Sequence, residues 1–187
     1  MPNELVIRNA VPADAGALNT YVRSIYGEAR HLITRPDEFR MGKWQQRRWI
    51  SRKAASQTEM CWLATYGAEI VGMLDNWTDH RARIRHTTTF AMSVRADQRG
   101  KGIGKDLLSK FIAWVQNHKS IERIELHVHS DNIAAKKLYE SFGFECEGTR
   151  YGAIRYEDGR VVDDHIMALW PKRHQNILLG GKPDGKT

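Results

Sequence analysis

The sequence predicts an α/β domain, a mixed sheet covered by helices on both faces. Three observations carry this prediction. Strand-like and helix-like apolar periods alternate up to Trp170, in the order strand, two helices, three strands, helix, strand, helix, two strands. No repeat or linker interrupts that run, and 187 residues are enough for one substantial core. The chain is 41% hydrophobic and 27% charged, as folded water-facing proteins are, and no apolar run approaches the ~20 residues that span a bilayer.

The elements follow in order. Leu5–Arg8 is a short apolar strand. Pro12-Ala13-Asp14 opens a helix, with proline and an acid in its first turn, and Ala17, Leu18, Tyr21, Val22 and Ile25 continue it at helical spacing. A loop runs from Gly27 to Pro36. Pro36-Asp37-Glu38 is expected to start a second helix carrying Phe39, Trp44 and Trp49. Met60–Thr65 and Glu69–Leu74 form a hairpin about Tyr66-Gly67-Ala68. Thr87–Val94, rich in β-branched residues, is a longer strand. Ile103, Leu107, Leu108, Phe111, Ile112 and Val115 form one apolar helical face. Ile121–Val128 alternates as a strand, and Ser130-Asp131-Asn132 caps a helix over Ile133–Ser141 that Gly143 stops. Phe144–Arg150 and Val161–Trp170 are the last strands. Residues 171–187 are polar and glycine-rich, and a flexible tail is expected there.

The net charge of +7 and pI near 9.5 favour an anionic partner without choosing one. Basic residues are scattered, so no nucleic-acid arm stands out. Cys61 and Cys146 have no metal-type spacing. With a first segment, MPNELVIRNA, unlike a signal peptide, the expectation is free thiols in the cytoplasm and no membrane partner.

The stretch VRADQRGKGIGKDLL joins the long strand to a helix through Gly100, Gly102 and Gly104. The first N–H groups of a helix have no intrahelical acceptor, and glycine lets neighbouring N–H groups turn inward without an obstructing Cβ. Such a cradle at the positive end of a helix suits phosphate. A dinucleotide fingerprint from Gly100 or Gly102 would need glycine where Lys105 or Leu107 stands. A P-loop would need glycine at Arg99 and a hydroxyl residue at Asp106.

Arg99-Gly100-Lys101-Gly102-Ile103-Gly104 instead resembles the acetyl-CoA loop of the GNAT superfamily of N-acetyltransferases. SDNIAAKKLYESFGFECEG resembles that superfamily's second signature, with Asn132, Ala135, Leu138, Tyr139, Gly143 and Phe144 in register. The resemblance implies a single-domain GNAT fold over residues 1–170, with about seven strands, about four helices and a splay between strands four and five. It implies acetyl-CoA as co-substrate, with no metal. Met92, Ser93 and Val94 would bond the pantetheine arm, and Arg99, Gly100, Lys101, Gly102, Ile103, Gly104 and Lys105 would cradle the pyrophosphate. Asn132 and Ala135 would contact the cofactor from the next helix. Tyr139 would donate the proton that the leaving thiolate needs.

Attack on a thioester requires a neutral amine, so a proton acceptor is also needed. Glu28 and His86 are the candidates, with Asp163 or Asp164 as further ones. His127 and His129 share a sheet face, too few for a metal site on their own.

The expected function is therefore acetyl transfer to a primary amine by direct attack, with a small-molecule acceptor. The alternatives are acetylation of a protein N-terminus or lysine and, in another class, a non-catalytic acyl-CoA-sensing or nucleic-acid-binding module. Phe39, Trp44 and Trp49 could wall an acceptor pocket or belong to the core. Nucleic acid is not the expected partner, and the resemblance admits a homodimer.

Overall fold

The computed structural model describes residues 4–28 and 30–172, so residues 173–187 of the expected tail lie outside the described residues. The elements are β1 (Leu5–Asn9), α1 (Ala15–Glu28), α2 (Lys43–Ala55), β2 (Cys61–Tyr66), β3 (Glu69–Thr78), β4 (Thr87–Val94), α3 (Ile103–Gln116), β5 (Arg123–His129), α4 (Ile133–Ser141), β6 (Glu145–Arg155) and β7 (Val161–Leu169). The strands form one seven-stranded sheet in the order β1-β2-β3-β4-β5-β7-β6. β4 and β5 run parallel, paired from Thr87↔Arg123 to Thr89↔Glu125. The β1/β2, β2/β3, β5/β7 and β6/β7 pairs are antiparallel. This is the mixed sheet that the sequence predicts, with the seven strands and four α-helices that the resemblance implies. Among the described residues no helix is long and apolar enough to cross a membrane.

The chain divides into two compact units. One takes in the chain up to Trp77 together with Phe90–Phe111, and the other takes in Thr78–Thr89 and the chain from Ile112. In the first unit, the Arg8 guanidinium donates two 2.7 Å bonds to Asp14. Asp14 also accepts from the Val11 N–H, which closes the turn leading into α1. Leu18, Tyr21 and Ile25 recur at helical spacing on α1 and bury against Ile50 of α2 and Leu63 of β2. β2 is buried over five successive residues, as a strand covered on both faces must be. Gly72 of β3 admits α3 closely, because a Cβ there would stand 3.1 Å from Leu107 and 3.2 Å from Ile103.

α2 begins at Lys43, not at Pro36 as the sequence suggests. Residues 36–38 form a single turn. The Arg35 N–H donates to the Glu38 carboxylate at 2.8 Å and the Glu38 N–H returns to the Arg35 carbonyl, so the start signals are satisfied within that turn. The helix proper is capped at Gly42, whose N–H donates to Gln45 Oε1 at 2.6 Å. Its buried stripe is Gln46, Ile50 and Lys53, and two of these three are polar. Polar side chains reach such positions only when something inside engages them.

In the second unit, Ile124, Leu126, Val128, Met167 and Leu169 of β5 and β7 are buried together with Ile112, Val115 and Phe144. β6 meets β7 with register shifts between Cys146 and Gly148 and between Arg150 and Ile154. α4 is N-capped by Asn132, whose Oδ1 accepts from the Ala135 N–H at 3.3 Å.

Candidate functional site

In the first unit, β4 runs into the glycine stretch. The Arg95 N–H donates to the Val71 carbonyl, and residues 96–98 form one 3-10 turn. Arg99 folds back, its Nε donating to the Val94 carbonyl at 3.0 Å. Gly100 and Gly102 have φ of +77° and +84°, backbone that side-chain-bearing residues rarely adopt. A Cβ at either position would meet nothing within 4 Å. The left-handed backbone therefore adds a conformational reason for glycine at both positions to the open access for N–H groups that the sequence suggests. The first backward helical bond runs from the Asp106 N–H to the Gly102 carbonyl, so the N–H groups of Ile103, Gly104 and Lys105 head α3 with no acceptor inside it. The Ile103 side chain is buried, so only its backbone can serve an anion. Lys101 donates to Gln98 Oε1 at 2.8 Å, and Lys105 is exposed.

Beside this loop, the Tyr21 hydroxyl donates to the Ser93 carbonyl at 3.0 Å and lies 3.1 Å from the Ser93 hydroxyl, which fixes the end of β4 against α1. Glu28 is exposed and accepts from the Ala96 N–H at 3.4 Å. It stands at the foot of the loop, outside the cavity described next.

That cavity, about 240 Å³, is also in the first unit. Phe39, Trp49, Tyr26, Met41 and Met73 supply apolar walls, and Ala91, Met92 and Ser93 of β4 supply one side. Of the three bulky residues in the α2 region, Phe39 and Trp49 line the cavity. Trp44 is 70% exposed, with the Arg48 guanidinium over its ring.

Besides Ser93 and Tyr26, the polar residues lining this space are Gln46 and Asp75. Gln46 is 3% exposed, and among the described residues its Oε1 has no hydrogen-bond partner. Asp75 sits on β3 two residues after Met73, on the same sheet face. Burial pushes its carboxyl up to about 6, partly opposed by Lys53 and reinforced by Glu59. Lys53 Nζ lies 3.3 Å from Glu59 and 3.6 Å from Asp75, and it donates to the Asn76 carbonyl.

Neither Asp75 nor Gln46 was singled out by sequence. The available signal for Asp75 was an acid directly after the apolar run Ile70–Leu74, where aspartate is disfavoured if the strand continues. Gln46 gave no signal, because a glutamine on a polar helix is ordinary.

In the second unit, Asn132 and Ala135 meet each other in the α4 cap. Tyr139 is 8% exposed, packs 5.8 Å from the Phe144 ring, and has its hydroxyl pushed up to about 12 by burial. His86 stacks on Trp170 at 6.2 Å, and its carbonyl accepts from the Glu122 and Arg123 N–H groups. Asp164, 1% exposed, is held by His127 Nδ1 at 2.7 Å and by Arg150 at 2.8 Å. Asp163 accepts from the Gly152 N–H. His129 Nδ1 lies 2.9 Å from the Tyr156 hydroxyl, which donates to Asp131. The contacts of Asp164 all fall on Oδ2, and among the described residues its buried Oδ1 has no hydrogen-bond partner. Among the described residues no three metal-ligating side chains are grouped to hold an ion.

The structure thus gathers Met92–Val94, Arg99–Lys105, Glu28 and the cavity within the first unit. It places Asn132, Ala135, Tyr139 and His86 in the second.

Known proteins share this arrangement. The model of the acetyltransferase (GNAT) family matches residues 22–144. An L-amino acid N-acetyltransferase of Escherichia coli K12 is 30% identical over 172 residues, covering 89% of this chain and 98% of that protein. A GNAT-family acetyltransferase from Streptococcus pneumoniae superposes with a TM-score of 0.86 at 27% identity, covering 89% of this chain and 99% of its own. A phosphinothricin acetyltransferase from Sinorhizobium meliloti, solved with acetyl-CoA, shares the fold at a TM-score of 0.76 and 18% identity, covering 89% and 88% of the two chains. A family model matching residues 22–144 and a relative 30% identical over nearly its whole length show that the chain belongs to the GNAT family of acetyltransferases.

Proposed function

We propose that the protein transfers the acetyl group of acetyl-CoA to the primary amine of a small apolar molecule, an L-amino acid being the best-supported class. Acetyl-CoA as donor is supported by the left-handed glycines before α3 and by its presence in a relative of the same fold. The cavity carries the acceptor half of the reading. At about 240 Å³ it falls below the roughly 300–1,000 Å³ of drug-sized pockets, as a compact amine requires. Its walls are apolar and aromatic, and Gln46 and Asp75 suit an amine. The relative that spans nearly the whole chain is an L-amino acid N-acetyltransferase.

In this reading Gly100–Lys105 binds the pyrophosphate and Met92–Val94 aligns the pantetheine. The amine nitrogen attacks the thioester carbon, the C–S bond breaks, and the Tyr139 hydroxyl gives its proton to the thiolate. The test is CoA release from acetyl-CoA with an equimolar pool of L-amino acids, alongside the thermal shift given by acetyl-CoA alone. Stabilisation by acetyl-CoA and amine-dependent release are expected. Stabilisation without release from any amine would reduce the protein to an acyl-CoA-binding module.

A further inference from the structure

The geometry points to Asp75 as the group that takes the proton from the acceptor's ammonium, with Gln46 Oε1 holding the nitrogen in place; this rests on the acceptor reading above. The sequence offered Glu28 and His86 for proton removal. Glu28 stands outside the cavity on the Ala96 N–H, and His86 stacks on Trp170 and is not among the cavity's lining residues. Asp75 lines the cavity itself, as does Ser93 of the strand expected to carry the thioester arm.

Two independent observations mark these side chains as built for a ligand. Gln46 buries a carbonyl oxygen that has no partner among the described residues. A buried acceptor of this kind is costly unless something donates to it, and an amine entering the cavity does so. Asp75 is the only carboxylate among the cavity's lining residues, and its partner Lys53, 3.6 Å away, is not one of those lining residues. Its cation, Lys53, is shared with Glu59 at the shorter distance. The titratable groups around Asp75 are Lys53 on α2, Glu59 before β2, Cys61 opposite it on β2, and Tyr26 on α1. Burial raises both the Cys61 thiol and the Tyr26 hydroxyl, and Asp75 adds to each rise, so neither competes for the proton acceptor's role near neutral pH.

The proton balance closes. An N–H bond of the substrate ammonium breaks and an O–H bond forms on Asp75, leaving the lone pair on nitrogen. After attack, the C–S bond breaks and the thiolate takes the Tyr139 proton. The nascent amide nitrogen returns a proton to Tyr139, and Asp75 releases its own to water. An apolar cavity raises a carboxyl and lowers an ammonium, so burial brings the two affinities together.

The experiment is the pH profile of kcat/KM for acetyl-CoA with the L-amino acid pool, in the wild type, Asp75→Asn and Glu59→Gln. Wild-type release from the pool is read first and tests the acceptor class. The ratio of variant to wild type, and the position of the acid limb, test Asp75. Asp75→Asn is expected to lose about 10²-fold or more in kcat/KM and to lose the acid limb near pH 6, with the acetyl-CoA thermal shift retained. Glu59→Gln removes a negative charge that raises Asp75, so its acid limb is expected to move to lower pH, a response that a purely structural carboxylate would not give. An Asp75→Asn enzyme with wild-type rate and limb, or a limb unmoved in Glu59→Gln, would overturn the assignment.

Discussion

At the scale of single residues, the proposed chemistry divides between a proton donor suggested by the sequence and a proton acceptor suggested only by the fold. Tyr139 was legible because its spacing from Asn132 and Phe144 fixes its register in a signature. Its environment was not. An unburied tyrosine near 10 is reasonably matched to a thiol near 8.5, but burial holds this hydroxyl at about 12. The proton is therefore present throughout the neutral range, at the cost of a weaker drive toward the thiolate. Tyr139→Phe is expected to lower kcat by about 10²-fold or more while changing the acetyl-CoA thermal shift little; an unchanged kcat would remove Tyr139 from the step. Asp75 and Gln46 were illegible for a different reason. Each is unremarkable in its own segment, and they become a site only when α2 and β3 place them on one cavity.

At the scale of elements, hydrophobic periods located most strands and helices, because core-facing positions repeat at the period of the structure that buries them, while α2 and α4 were found by start and cap signals. Boundaries were less legible. The Pro36-Asp37-Glu38 signal is chemically sound but is satisfied by one turn with Arg35, and the capping of Gly42 by Gln45 then starts the helix. The glycine loop stood out in the sequence for its unobstructed N–H groups, and the backbone adds a second reason, left-handed φ at Gly100 and Gly102. Because space around Gly102 is open and φ is +84°, Gly102→Ala is expected to destabilise by ~1–2 kcal/mol in urea unfolding and to raise the KM for acetyl-CoA. Gly102→Asn should recover much of both losses, since asparagine tolerates left-handed backbone better. Equal loss in the two variants would mean that clearance around a bound ligand, not conformation, selects glycine there.

At the scale of the whole molecule, the order of elements could be read from the chain, but the order of strands in the sheet could not. β7 lies between β5 and β6, a long-range pairing without a local signature. The family could be read because two motifs fell at the correct separation. The acceptor could not, because the cavity draws on α1, the loop after it, α2, β3 and β4.

The central claim is that this cavity selects a small apolar amine for acetylation. Mass spectrometry of one reaction containing acetyl-CoA, the L-amino acid pool and short peptides with free N-termini and lysines tests it most directly. The account predicts acetyl adducts concentrated on apolar and aromatic L-amino acids. Adducts confined to peptide N-termini or lysine side chains would contradict it.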